Sequence, residues 1–490
     1  MTQRKYNRKE FLKLAALAQA ALYVPLLSCN GNSTGKNGKE DKSVDSIATE
    51  KETALPEKKV TYYKKGDKEY ELLRKGFNKR IDKFPSLIAL CKDTEEVTIA
   101  VKYAVANKLP VAIKSGGHCM EGFSVNDGGM VINLSELNKI GWVDKEIFTT
   151  GPGAKLSQLY DELLPKQRII PGGSCSGVGI GGLTLGGGYG LLARNFGLTC
   201  DSLLEVTMVD GKGNIVKASG SDELLWACKG GGNGNFGVVT EMKFRSHPAP
   251  ATLQGYRFKS YKIDTAKARY ILQQWFNAAA TLPPTCFSAF VLNGKTVYIL
   301  LTNTAAPDAA VNDFISKMSA ANEKTTQTKA EPLARALKVF YGRQAPLYFK
   351  NASAGLYKNF ADIESCIDAA IDTVLATPGM IYQVNTLGGN IADKNFETAS
   401  AFPHRAYPYF SELQTYWESP KQEAKLLERF RQVEEIFTAN GISAQYRNYP
   451  DVDFKNWQSA YYGTGYERLQ QLKEKYDPDN TIRHPQSVSR

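Results

Sequence analysis

Pro171-Gly172-Gly173-Ser174-Cys175-Ser176-Gly177-Val178-Gly179-Ile180-Gly181-Gly182-Leu183-Thr184-Leu185-Gly186-Gly187-Gly188-Tyr189-Gly190 is half glycine, yet it keeps Val178, Ile180, Leu183, Leu185 and Tyr189 as apolar anchors. Flexible glycine linkers lack such anchors, so the stretch reads as backbone laid closely against something flat or anionic, where side chains are not tolerated. Upstream, Pro85-Ser86-Leu87-Ile88-Ala89-Leu90 reads as a short buried strand. Asp93, with Glu96 three residues on, predicts a capped helix that buries Val97, Val101, Ala104 and Val105 on one face. Val111-Ala112-Ile113-Lys114 predicts a second strand, completing an α/β unit. The turn Gly116-Gly117 follows it, at the strand end where such units place ligands.

Downstream, a second glycine cluster, Gly230 to Gly237, runs into the strand signal Val238-Val239-Thr240. Neither cluster carries the lysine and hydroxyl residue of a Walker loop, and the GxGxxG that can be forced onto Gly181 to Gly188 is weak in so glycine-rich a stretch. His247-Pro248-Ala249-Pro250 marks a domain boundary. Residues 251–444 alternate β-rich runs such as Thr296 to Thr302 with amphipathic helices such as Lys421 to Asn440. Tyr466 to Lys475 reads as a helix stopped by Asp477-Pro478-Asp479-Asn480. That end has few apolar residues for a core of its own, so it is expected to pack back on the earlier domain.

The 490 residues suffice for two to three domains, and 42% hydrophobic with 11% aromatic residues excludes a disordered or fibrous chain. No apolar stretch reaches the roughly 20 residues of a membrane-spanning helix. Arg4, Lys5, Arg8, Lys9 and Lys13 form a basic head before an apolar run from Leu14 to Leu27, which ends at Leu26-Leu27-Ser28-Cys29. This pattern resembles a bacterial lipoprotein signal with Cys29 as the lipidated residue, and Asn7 to Lys13 weakly resembles a twin-arginine signal. The alternative is a buried helix over residues 11–28. Residues 1–28 carry a net charge of +4, so their removal lowers the formal charge from +11 to +7, which weakens a nucleic-acid reading. Residues 29–60 read as a polar tether.

Ile113-Lys114-Ser115-Gly116-Gly117-His118, the 173–190 stretch, and Asp477-Pro478-Asp479-Asn480 with Gln486-Ser487 together resemble the berberine bridge enzyme-like flavoproteins, of the vanillyl-alcohol oxidase or p-cresol methylhydroxylase-type FAD fold. The resemblance is specific over residues 65–250 and 400–490. It implies an α+β chain with a split FAD-binding domain, 61–250 completed by 445–490, and a substrate domain, 251–444, whose antiparallel sheet roofs the flavin. It also implies FAD joined to His118 through the 8α-methyl and to Cys175 through C6, which would raise the ring's potential. Here Ser176-Gly177 stands where relatives often have Pro and a larger residue. A turn histidine that caps a backbone group is the plain alternative for His118, and a small buried thiol or a structural disulfide for Cys175.

Further FAD contacts are implied at Ser115, Gly116, Gly117, Gly173, Val178, Gly179, Gly182, Gly187, Tyr189, Asp201, Gly237, Val239, Asn448 and Asn480. Val178 stands at the position that controls oxygen access, and valine there goes with O2 as acceptor and H2O2 as product. Tyr446-Arg447-Asn448-Tyr449-Pro450-Asp451 resembles the family's YxNYxD motif, whose second Tyr, here Tyr449, serves as base in the oligosaccharide-oxidising branch. With an ordinary pKa near 10, such a base needs a cationic or hydrogen-bonding neighbour. Gln383, Asn385, where the sugar oxidases have Asp, and Glu412, where Gln is frequent, are candidates from the roof. Of eight cysteines, six remain after Cys29 and Cys175, and their pairing stays open. Four histidines and no CxxC pair argue against a zinc site.

The expectation is an exported, lipid-anchored, monomeric FAD oxidase of a hydroxyl-bearing small molecule, foremost a sugar or oligosaccharide oxidised to the lactone. Alternatives are a flavin oxidase or dehydrogenase of an aromatic, amine or secondary-metabolite substrate, and a glycan-binding surface lipoprotein without redox chemistry.

Overall fold

The computed structural model describes residues 60–342 and 345–490; the export signal, Cys29 and most of the tether lie outside them. Strands β1 (Thr61–Tyr63), β2 (Leu87–Leu90), β3 (Val111–Lys114) and β4 (Met130–Asn133) form a small sheet in the order β1-β2-β4-β3. Helix α1 (Thr94–Ala106) starts where the sequence predicts, with the Asp93 carboxylate accepting from the Glu96 amide, and it buries Val97, Ala100, Val101 and Ala104. The two expected strands are not neighbours. β4, with no helix before it to advertise it, lies between β2 and β3 and pairs with both in parallel.

Strands β5 (Ile140–Trp142), β6 (Ile147–Thr150), β7 (Arg168–Ile169), β8 (Leu203–Asp210), β9 (Ile215–Ser219), β10 (Gly237–Arg245) and β11 (His247–Pro248) follow. They make an antiparallel sheet of order β5-β6-β10-β8-β9 and the short pair β7-β11. The glycine-rich stretch is not extended backbone throughout, since Ile180–Leu185 winds into a short helix, α2. Ile180, Thr184 and Leu185 are buried, while Gly182 has open space where a Cβ would stand.

The next part is one antiparallel sheet built from β12 (Thr252–Tyr261), β13 (Cys286–Asn293), β14 (Thr296–Asn303), β15 (Lys324–Gln327), β16 (Glu331–Pro332), β17 (Tyr348–Tyr357), β18 (Met380–Thr386) and β19 (Tyr409–Trp417). Their order is β15-β12-β14-β13-β18-β19-β17, with β16 on β12. Side-chain alternation splits the strands between two cores. Phe290 and Leu292 face helices α3 (Thr265–Ala279), α4 (Ala309–Ala321), α5 (Ile367–Leu375) and α6 (Glu423–Ala439), whereas Phe287, Ala289 and Val291 face the glycine-rich part. A sheet apolar on both faces must be covered on both, so it serves as a roof.

The C-terminal segment returns to the first sheet, where the Val111 amide donates to the Thr481 carbonyl and the Arg483 amide to the Val111 carbonyl. Helix α7 (Tyr466–Tyr476) is held there by fully buried Lys473. Its ammonium donates to the carbonyls of Asn235 and Ile482, each at 2.7 Å, and to Asp477 at 2.6 Å, while Asp477 accepts from the amides of Thr481 and Ile482. Lys473→Met strands a buried carboxylate and should cost about 3–5 kcal/mol. Chemical denaturation of Lys473→Met beside Lys473→Met/Asp477→Asn checks it, because the double variant should recover part of that loss. Among the described residues all seven cysteines are free thiols, so no disulfide of the open pairing forms there.

Candidate active site

Between the glycine turns and the roof lies a cavity of about 270 Å³. It is walled by Val111, Gly237, Val239 and Ile482 and, from the roof and the C-terminal segment, by Gln383, Asn385, Glu412 and Tyr449. Two glycine segments meet along the side: a Cβ on Gly116 would stand 2.3 Å from the Gly179 amide nitrogen, and one on Gly179 would stand 2.1 Å from Ser115 Oγ. Side chains are excluded because the two backbones touch.

His118 and Cys175 both line this cavity. The His118 ring stacks on Phe77, with centroids 4.5 Å apart and planes 14° from parallel. Burial, and the Lys155 charge after it, push its imidazole down to about 4, so it is neutral at pH 7 with a lone pair to offer. Burial and the Glu412 carboxylate push the Cys175 thiol up to about 11, against a hydrogen bond from Ser174.

The roof places one ordered polar network on the cavity. Strand register sets Gln383 opposite Glu412, and Ser353 opposite Glu412 on its other side, which brings residues of β18, β19 and β17 together. Gln383 Nε2 donates to Asn385 Oδ1 at 2.8 Å, fixing the orientation of that carboxamide. Asn385 Nδ2 then donates to Glu412 Oε1 at 3.1 Å, and Asn351 Nδ2 to Glu412 Oε2 at 3.2 Å. The Glu412 carboxylate is thus buried and gripped at both oxygens.

Tyr449 lies beside this network, stacked on Phe410 at 5.7 Å and edge-on to Tyr446 at 5.3 Å. Burial first, then Glu412, Tyr446, Cys175 and Tyr189, hold its phenol well above the ordinary value, so of the three roof candidates Glu412 opposes the phenolate.

Of the other expected contacts, Ser115, Gly116, Gly117, Gly173, Val178, Gly179, Gly182, Tyr189, Gly237, Val239 and Asn448 line the cavity. Asp201, Gly187 and Asn480 do not. The Asp201 side chain is buried, pairs with Arg405 at 2.6 Å and accepts from the Leu198 amide. Gly187 adopts φ +117° in a turn against Phe402 and Tyr446, and Asn480 takes φ +51° in the turn that closes on Asp477. The sequence reading missed Phe77, Asn351, Phe349, Tyr416, Asn233 and His484, all of which line the cavity. Arg447, inside the YxNYxD match, was visible but unassigned.

These residues fit FAD. The cavity is lined in part by glycine backbone with open space over Gly182, both a neutral imidazole and a thiol line it, and the buried Asn233 Oδ1 has no donor among the described residues. Comparison with known proteins agrees. Residues 85–219 match an FAD binding domain, and residues 445–489 match the berberine and berberine-like family model. The FAD-linked oxidoreductase YgaK of Bacillus subtilis strain 168 is 30% identical over 437 residues, covering 86% of this chain and 95% of that protein. Aclacinomycin-N/aclacinomycin-A oxidase of Streptomyces galilaeus is 29% identical over 488 residues, covering 86% and 88%. Among solved structures, glucooligosaccharide oxidase from Acremonium strictum, described with a 6-S-cysteinyl, 8α-N1-histidyl FAD, aligns at TM-score 0.79 and 23% identity, covering 88% of this chain and 97% of that one.

Proposed function

Because the chain belongs to the berberine bridge enzyme-like FAD-linked oxidoreductases, we propose that it oxidises a hydroxyl-bearing carbon of a small molecule, foremost a sugar or oligosaccharide to the lactone, with O2 reduced to H2O2. The observation that carries this is the Glu412 carboxylate, held by Asn351 and Asn385 on the cavity that His118 and Cys175 share. FAD, when bound, supplies the hydride acceptor. His118 and Cys175 would hold it covalently, with the glycine backbones beside it.

An alcohol carbon gives up hydride only if its hydroxyl proton leaves too. Glu412 takes that proton: its two oxygens are fixed by carboxamide N–H groups, so the carboxylate is held in one orientation on the cavity. Gln383 orders the network. Tyr449 orients the substrate, its O–H available as donor or acceptor. Phe349, Tyr416 and Phe287 supply apolar walls that exclude water and offer ring faces on which a sugar stacks. Val178, on the cavity, supports oxygen as acceptor.

A second reading, oxidation of an aromatic or secondary-metabolite alcohol, is favoured by the same aromatic walls and by the similarity to aclacinomycin oxidase. A glycan-binding protein without redox chemistry no longer fits. The test is to purify the full chain, measure peroxide release on panels of sugars, aromatic alcohols and amines, and record bleaching of the bound flavin. Sugar-dependent bleaching supports the first reading. Bleaching only by aromatic alcohols replaces it with the second, and amine-only bleaching removes both. Export with lipidation of Cys29 is proposed as well; radiolabelled palmitate should enter the chain and fail to enter Cys29→Ser.

A further inference from the structure

Behind the roof, on the side of β17 opposite Phe349 and Asn351, six ionisable side chains meet that the oxidation does not use. Lys350 is buried, and its ammonium donates to Asp451 Oδ1 at 2.5 Å and contacts Asp453 at 3.3 Å and Glu121 at 3.4 Å. Arg80 holds the other Glu121 oxygen at 2.7 Å. Asp451 Oδ2 and Glu434 Oε1 are both buried with no donor among the described residues. Burial, then the Asp451 charge, holds the Glu434 carboxyl well above its ordinary range. Burial alone would lower Lys350, yet Asp451 and Glu121 hold it above the usual lysine range.

Glu121, Lys350 and Asp451 are each chained to a segment of the site. Glu121 stands three residues after His118. Lys350 lies between Phe349 and Asn351, and Asn351 grips Glu412. Asp451 stands two residues after Tyr449, whose carbonyl accepts from the Ser353 amide of β17 at 2.9 Å. Asn78 adds a clamp beside the cluster, donating to the carbonyls of Met120 at 2.8 Å and Phe349 at 3.0 Å.

We propose that Lys350 is a positioning residue for the oxidation: paired with Glu121 and Asp451 it fixes the His118 turn, the Asn351 strand and the Tyr449 segment in one register. This rests on the reading that Glu412 and Tyr449 face the substrate. A displacement of about 1 Å at reacting groups costs on the order of 10²-fold in rate. The full flavin-loaded chain is compared with Lys350→Met, with the charge-free Glu121→Gln/Lys350→Met/Asp451→Asn in case the single variant does not fold, and with Glu434→Gln, which leaves the Lys350 pairs to Glu121 and Asp451 in place.

Expected are flavin loading and a visible spectrum like wild type, and at least 30-fold slower anaerobic flavin bleaching at saturating substrate. The substrate concentration for half-maximal rate should move less than threefold, and Glu434→Gln should stay within threefold of wild type. Wild-type bleaching by a folded, loaded charge-free variant overturns the proposal. If no substrate bleaches the wild-type flavin, the functional reading fails, and hydrogen exchange still decides this one. Residues 118–123 and 446–453 of the loaded charge-free variant should exchange at least tenfold faster than in wild type; unchanged exchange overturns it.

Discussion

Glu412→Gln slows substrate-driven flavin bleaching by about 10²–10⁴-fold, the range a positioned general base contributes, whereas Tyr449→Phe costs about tenfold or less, the scale of one hydrogen bond. The contrast follows from surroundings. The Glu412 oxygens accept from Asn385 at 3.1 Å and Asn351 at 3.2 Å, so Gln keeps the size of the side chain and loses the capacity to take a proton; its NH2 group replaces one acceptor, which turns the Asn351 carboxamide so that the Asn351 Oδ1, otherwise without a donor, accepts from it. Tyr449 keeps its stacking on Phe410 when its hydroxyl is removed. Its phenol is pushed well above the ordinary value by burial and by Glu412 itself, so at neutral pH it holds its proton whether or not substrate is present. Stopped-flow bleaching of both variants under anaerobic conditions, with matched flavin content, checks this. Equal losses would return the role of base to Tyr449.

This assignment turns on what local sequence can and cannot carry. Gly116-Gly117-His118 and Gly173 to Gly190 were legible because close backbone approach leaves a mark in composition: glycines 116 and 179 touch, and no other residue fits. The helix at Asp93 was legible because its cap and apolar face lie within one turn or two of sequence. The roof was not. Asn351 meets Glu412 only because β17 and β19 pair antiparallel across 61 positions of sequence, and nothing within a few residues of Asn351 marks it. The partner of Asp201 was hidden for the same reason: Arg405, whose guanidinium donates to it, stands 204 positions away. The role of Tyr449 also depended on that missing register, since Glu412, the charge that raises its phenol, reaches it across the sheet.

The same charge reaches Cys175, and it sets the order in which the two covalent tethers should form. His118, neutral above about pH 4 to 5, has its lone pair available throughout the neutral range, so bonding to the 8α-methyl should be insensitive to pH from 6 to 9. Cys175 must lose its proton to act as a nucleophile. With its thiol pushed up to about 11, the thiolate is a fraction of about 10⁻⁴ at pH 7 and rises about tenfold per pH unit. In His118→Ala reconstituted with FAD at pH 7, acid precipitation should therefore leave most of the yellow colour in the supernatant. The coloured pellet should grow as reconstitution is moved toward pH 10. Cys175→Ala should keep its colour in the pellet at every pH, and the double variant at none. Because Glu412 is the charge that raises the thiol, after burial, His118→Ala/Glu412→Gln should form the remaining thioether faster at pH 8 than His118→Ala alone, even though Glu412→Gln is the variant with the slowest oxidation. An unchanged or slower rate would mean that the carboxylate does not act on the sulfur, and the electrostatic link between base and tether would fail.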